Sequence, residues 1–173
     1  MERAVFGDPA DSPFILPYLP GEAFVVNQSY CFAGGGHRNQ LAYDFRMPIE
    51  TDIVAIHEGI VREIREDSPD DGFGEGEHNL VFIEHPDGTS AFYAHLLQNG
   101  VDVAVGDVVS SGQRIAASGN SGLTGRPHLH LGVYRSWPPR DGEDVPLTFR
   151  NAAGPLDERG GLVMGQLYSA LPE

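Results

Sequence analysis

Between Leu41 and Arg46 apolar and polar side chains alternate, with Leu41, Tyr43 and Phe45 on one face of an extended chain and Ala42, Asp44 and Arg46 on the other. That period predicts a strand whose apolar face meets a core while Asp44 emerges opposite. A second run, Pro127-His128-Leu129-His130-Leu131-Gly132-Val133-Tyr134, opens with a proline that pushes Arg126 toward extended backbone, and continues with strand-forming residues. Alternation there places His128 and His130 on one face, roughly 6.5–7 Å apart, with Leu129 and Leu131 anchoring the other. Further strands are predicted at Ala23–Gln28, Ile53–Ile56, Gly59–Ile64, Asn79–Glu84 and Thr89–His95, the last two joined at Asp87-Gly88 by hairpin turn chemistry. Val101, Val103 and Val105 alternate toward Gly106-Asp107, and Val108–Ala116 repeats the strand and turn rhythm. Val145–Phe149 reads as an edge strand because of Pro146.

No long helical periodicity interrupts this series, and the 22 Gly and 13 Pro punctuate short Val/Ile/Phe/Tyr runs. The expectation is an all-β chain, in which residues 1–12 form a loose lead-in and 13–173 a single domain. Glu66–His78 carries six acids and is expected to be a mobile, solvated surface loop, since its spacing matches no EF-hand.

Charge narrows the partners. With 25 acidic residues against 11 basic ones the formal charge is −14, which repels phosphates and makes nucleic acid an unsuitable ligand. The N-terminus as given has no apolar signal-peptide core, and no run reaches the roughly 18 apolar residues of a spanning helix, so no membrane insertion is expected. A lone Cys31 cannot close an intramolecular disulfide. The chain is expected to act as a monomer.

Histidine and carboxylate positions carry the candidate chemistry. A working zinc site needs three protein ligands and an open position, and His37, Asp44 and His130 would supply two imidazole nitrogens and a carboxylate oxygen. His37 follows Ala33-Gly34-Gly35-Gly36, a loop whose backbone freedom can aim it. His95 and His128 would then stand beside the metal, free to take a proton, steady an oxyanion or protonate a leaving amine. His57-Glu58 has no second histidine four positions on, which excludes the helical HExxH zinc site. His57, His78 and His85 are expected in structural or surface roles, whereas Asn79 and Tyr93 are candidate lining residues of a substrate groove.

These residues come in a fixed order: His37, Ala42-Tyr43-Asp44-Phe45, Asn79 through Gly88, Tyr93-Ala94-His95-Leu96, Val105-Gly106-Asp107-Val108-Val109, Ser118-Gly119-Asn120-Ser121-Gly122 and Pro127-His128-Leu129-His130. Over roughly residues 14–150 this set resembles the lysostaphin-type zinc metallopeptidases, which cut peptides of bacterial peptidoglycan. The resemblance implies an antiparallel β-sandwich with an open groove, one zinc ion on His37, Asp44 and His130, and catalytic roles for His95 and His128. It implies peptidoglycan peptides as substrate and a periplasmic or extracellular place of work. Six residues separate His37 from Asp44, where the family usually has three.

Other readings of the same motifs are weaker. A non-catalytic regulatory or wall-binding module on this scaffold would have lost ligands, and none is lost here. The Val105–Ile115 stretch also resembles lipoyl, biotinyl and phosphotransfer IIA-type barrels. The first two need a lysine that this sequence lacks, and a phosphohistidine carrier leaves His37 and Asp44 unexplained.

Overall fold

Tyr43, Phe45, Leu129 and Leu131 are fully buried, and the strands that carry them lie side by side at the centre of a nine-stranded sheet. The computed structural model describes residues 4–73 and 77–173. In chain order the strands are β1 (Ala23–Gln28), β2 (Tyr43–Arg46), β3 (Asp52–Val54), β4 (Gly59–Arg65), β5 (Leu80–Glu84) and β6 (Ser90–Ala94). They continue as β7 (Leu96–Val101), β8 (Val108–Val109), β9 (Arg114–Ser118), β10 (His128–Tyr134), β11 (Ala152–Ala153) and β12 (Leu167–Ala170).

The large sheet runs β11-β12-β1-β2-β10-β6-β5-β4-β8, and β3-β9-β7 form a second sheet of three strands, every pairing being antiparallel. Both sheets share one apolar core, in which Ile53, Leu96 and Ile115 of the small sheet join Val81, Ile83, Leu129 and Leu131 of the large one. Burying each such side chain contributes about 1.5–3 kcal/mol. The core therefore claims one face of β2 and β10 and leaves the other to polar residues. Among the described residues no helix is long and apolar enough to cross a membrane.

Several local expectations changed. Val145–Phe149 forms no strand: Val145 N–H donates to Val133 at 2.8 Å, while Leu147 and Phe149 drop into the core as irregular backbone. Hydrophobic burial there outweighs ladder pairing. Leu96–Val101 is a strand although Gln98, Asn99 and Gly100 interrupt its apolar pattern, because it pairs with β9 beside the core. Strand character ends at Val101, before Val103 and Val105. Phe6, in the stretch expected to be a loose lead-in, is buried against Tyr30.

The acidic stretch after β4 is tied down where it is described, residues 74–76 lying outside the described residues. Asp70 accepts from the backbone N–H groups of Gln98 at 2.7 Å and Asn120 at 2.9 Å, and Glu66 accepts from Val101 N–H at 3.2 Å. These carboxylates satisfy backbone donors at the border of the small sheet, so they do more than solvate a loop.

Candidate metal centre and active-site cleft

The site grows out of strand register. His130 on β10 pairs directly with Asp44 on β2, and Asp44 with Gln28 on β1, after a bulge between Val26 and Gln28. Directly paired residues face the same way, so Gln28, Asp44 and His130 form one row on the polar face. His37 reaches this row from the loop between β1 and β2. None of Gly34, Gly35 and Gly36 has a positive φ. Close approach distinguishes one of them: a Cβ on Gly35 would lie 1.9 Å from Gln28 Oε1 and would displace that side chain. Gln28 Oε1 accepts from Gly36 N–H at 3.0 Å while its Nε2 donates to Asp44 Oδ2 at 2.6 Å, fastening loop to carboxylate.

Three ligand-type atoms converge. His37 Nε2, His130 Nδ1 and Asp44 Oδ1 lie 3.0 Å from one another. His37 Nδ1 lies 3.2 Å from the Ser29 carbonyl, an acceptor, so the bond needs its proton there and leaves Nε2 with a lone pair. That lone pair, an ionised carboxylate and a second imidazole nitrogen share at most one proton among them, and His37 and Asp44 are only 2% and 1% exposed. Such a donor set suits a cation. Atoms on a tetrahedral zinc are about 3.3–3.4 Å apart, so the observed triangle is close to that size. Burial pushes the Asp44 carboxyl upward, but its hydrogen bond with His130 and its close contact with His37 outweigh it and hold the group well below the usual range.

His95 and His128 stand next to this triangle. Their rings are 4.5 Å apart between centroids, and His128 Nε2 is 3.6 Å from Asp44 Oδ2. His95 Nδ1 faces the Ser121 carbonyl at 2.8 Å and His128 Nδ1 the Arg126 carbonyl at 2.7 Å. Both bonds require the Nδ1 tautomer, which leaves each Nε2 an acceptor. These five residues, with Gln28, Gly36, Gln40 and the turn Leu123–Gly125, line a cleft of about 240 Å³.

His95 is held in a backbone conformation few histidines adopt, with φ +63°. A non-glycine residue there costs about 1–2 kcal/mol, and the surrounding bonds must hold it. Gly119 N–H donates to the His95 carbonyl at 2.9 Å, an approach possible because a Cβ on Gly119 would lie 2.5 Å from Leu97 N. Asn79 supplies the rest. It is fully buried, accepts from Ser68 N–H at 2.9 Å, and donates to Ser68 O at 2.8 Å and Leu96 O at 3.1 Å. Its own N–H donates to Ser121 Oγ at 3.0 Å.

Neither Asn79 nor Tyr93 therefore lines the groove. Tyr93 is fully buried and its hydroxyl accepts from Ile56 N–H at 2.9 Å. Both side chains spend their polar atoms on backbone, as buried polar groups must. Asn79→Ala is expected to lower unfolding free energy by about 2–3 kcal/mol by orphaning buried backbone groups, read as a lower urea midpoint. An unchanged midpoint would contradict that role.

Gln28 carries no signal in the sequence, and His78 stands closer to the cleft than expected. Gln28 ends a predicted strand, where nothing in the pattern separates it from any exposed polar residue. His78, expected in a structural or surface role, packs its ring 5.3 Å from that of His95. Burial lowers the His78 pKa, with His130 and then Arg65 adding to the effect. Burial also pulls the His95 imidazole down to about 3, His128 repelling the charged form, against a bond to Ser121 that raises it and further repulsion from His130 and His78. His85, remote from the cleft, is lowered mainly by burial too.

An unfolded histidine titrates near 6.5, so below that pH the unfolded chain binds protons that these folded imidazoles refuse. Metal-free protein is expected to lose thermal stability progressively as pH falls from about 6.5 toward 4, and His95→Asn to flatten that decline. A Tm that stays level over this range would contradict it.

The sequence profile described as Peptidase family M23 matches residues 38–144, beginning one residue after His37. Lysostaphin from Staphylococcus simulans is 33% identical over 131 residues, which is 75% of this chain and 24% of lysostaphin. The peptidoglycan DD-endopeptidase ShyA of Vibrio cholerae is 39% identical over 87 residues, covering 50% of this chain and 18% of ShyA. The chain thus spans about a quarter or less of these relatives' lengths. Among solved structures, a mutant catalytic domain of the prophage-encoded M23 protein EnpA from Enterococcus faecalis superposes with a TM-score of 0.57 at 27% identity, over 76% of this chain and 93% of that one. With the family profile covering more than half of its residues, and the antiparallel β fold shared with a solved catalytic domain, this chain belongs to Peptidase family M23, the lysostaphin-type metallopeptidases.

Proposed function

We propose that the protein is a zinc-dependent endopeptidase that hydrolyses peptide bonds in the stems or cross-bridges of bacterial peptidoglycan, outside the cytoplasm. The observation that carries this reading is the pair of imidazoles, His95 and His128, each with an acceptor Nε2, beside the triangle of buried His37 and Asp44 and half-buried His130.

In this reading His37 Nε2, Asp44 Oδ1 and His130 Nδ1 hold the metal. Zinc bound to such a set supplies Lewis acidity sufficient to bring water toward a pKa of about 7. His37 is oriented by the Ser29 carbonyl, and Asp44 by Gln28, which keeps Oδ2 occupied and turns Oδ1 inward. His95 and His128 serve as hydrogen-bond acceptor and proton carrier. The low pKa of His95 keeps it neutral at working pH, with Nε2 free to accept a hydrogen bond from the water. His128, once it has taken a proton at Nε2, is placed to steady negative charge on a carbonyl oxygen or to protonate the departing amine. Lysostaphin and the DD-endopeptidase ShyA support peptidoglycan as the substrate.

The test is mass spectrometry of fragments released from purified peptidoglycan by zinc-loaded protein, run beside His128→Ala. New peptide termini that appear only with the intact protein are the expected result. No release from any wall type by protein carrying stoichiometric zinc would overturn the reading in favour of a non-catalytic wall-binding module.

A further inference from the structure

A second row of residues crosses the polar face next to the metal-type row. His128 pairs with Arg46, Arg46 with Val25, and Val25 with Leu167 of β12. Arg46 is two residues beyond Asp44, so the two share a face about 6.5–7 Å apart along β2. Arg126 and Pro127 rise immediately before β10, and between them and Arg46 lies a hollow of about 510 Å³ floored by Val25, Phe24 and Leu167.

The chain is strongly acidic, at −14, and Arg62, Arg114, Arg140 and Arg150 are each ion-paired with a carboxylate. Arg46 and Arg126 are exposed, and neither is ion-paired with any described residue. Arg38, Arg65, Arg135 and Arg159 likewise have no ion pair with a described residue, so what marks this hollow is that two unpaired guanidinium groups, Arg46 and Arg126, line it together. A guanidinium is a planar fork that matches a carboxylate through paired N–H donors, and the apolar floor offers a surface for the rest of the peptide to pack on. Resting on the peptidase reading above, we infer that this hollow is a substrate subsite for a peptide residue with a free carboxylate, gripped by Arg46 and Arg126. The 6.5–7 Å step corresponds to about two residues of extended peptide, so that carboxylate belongs to a residue within about two positions of the cleaved bond.

Binding and cleavage test it separately. Fluorescein-labelled L-Ala-γ-D-Glu-L-Lys-D-Ala is titrated by anisotropy into wild-type protein and into Arg46→Gln/Arg126→Gln, both exposed positions whose substitution leaves the core intact. Two further probes carry an amide at the Glu α-carboxylate or at the C-terminus. The expected result is at least tenfold weaker binding of the free-carboxylate peptide by the double variant. An equal loss by the wild type should follow amidation of one carboxylate and not the other, which names the group recognised. The inference is overturned if the double variant binds all three probes as the wild type does, if it loses affinity equally for every probe, or if the wild type binds none. In cleavage of peptidoglycan fragments, the double variant should show a raised KM with kcat retained. Carboxylate-dependent binding without cleavage would refute the peptidase reading alone, and cleavage with an unchanged KM would refute the subsite alone.

Discussion

His130→Ala is expected to remove metal and activity together. His130 Nδ1 is one corner of a triangle whose edges are all 3.0 Å, and the other corners, His37 and Asp44, are almost fully buried. With one corner missing, a two-ligand remnant cannot close a tetrahedral site, and Asp44 loses a hydrogen bond that keeps it ionised inside the protein. Zinc content measured by elemental mass spectrometry should fall from about one per chain to background, and peptide hydrolysis by about a thousandfold or more. Full activity or full metal content in this variant would refute the assignment of His130.

His95→Asn is expected to separate chemistry from metal binding. Asparagine tolerates a positive φ better than most residues, so the backbone at φ +63° survives while the acceptor Nε2 is lost. Zinc content should stay near one per chain and kcat should fall by about 10²–10⁴, with KM changed far less. A variant that kept wild-type kcat would assign His95 to structure alone, and a variant that lost its metal would make it part of the binding site.

The two central strands and the residues they carry were legible in the sequence for a simple reason. Strand period is two, so Tyr43 and Phe45 against Asp44, and Leu129 and Leu131 against His128 and His130, state which face meets the core before any partner is known. The ordered set from His37 to His130 likewise identified the family. Less legible were polar residues whose partners lie far along the chain. Asn79 and Tyr93 looked like groove residues because they are polar positions on strands near His95. Each is instead consumed by backbone groups of Ser68, Leu96 or Ile56. Local pattern records a side chain's face and leaves its hydrogen-bond partner unspecified.

By itself, then, the sequence determined the all-β class and the face of each central strand, and named the candidate histidines and carboxylate, since all three depend on residue type and short-range period. Tertiary structure alone decided that His130, Asp44 and Gln28 stand in one row, because cross-strand register joins positions 86 and 16 residues apart. It also decided that Gly119 and Asn79 hold His95 at a strained φ, and that Arg46 and Arg126 flank one hollow. Such contacts are set by packing of the whole chain, where burial and backbone satisfaction outweigh any signal a local window contains.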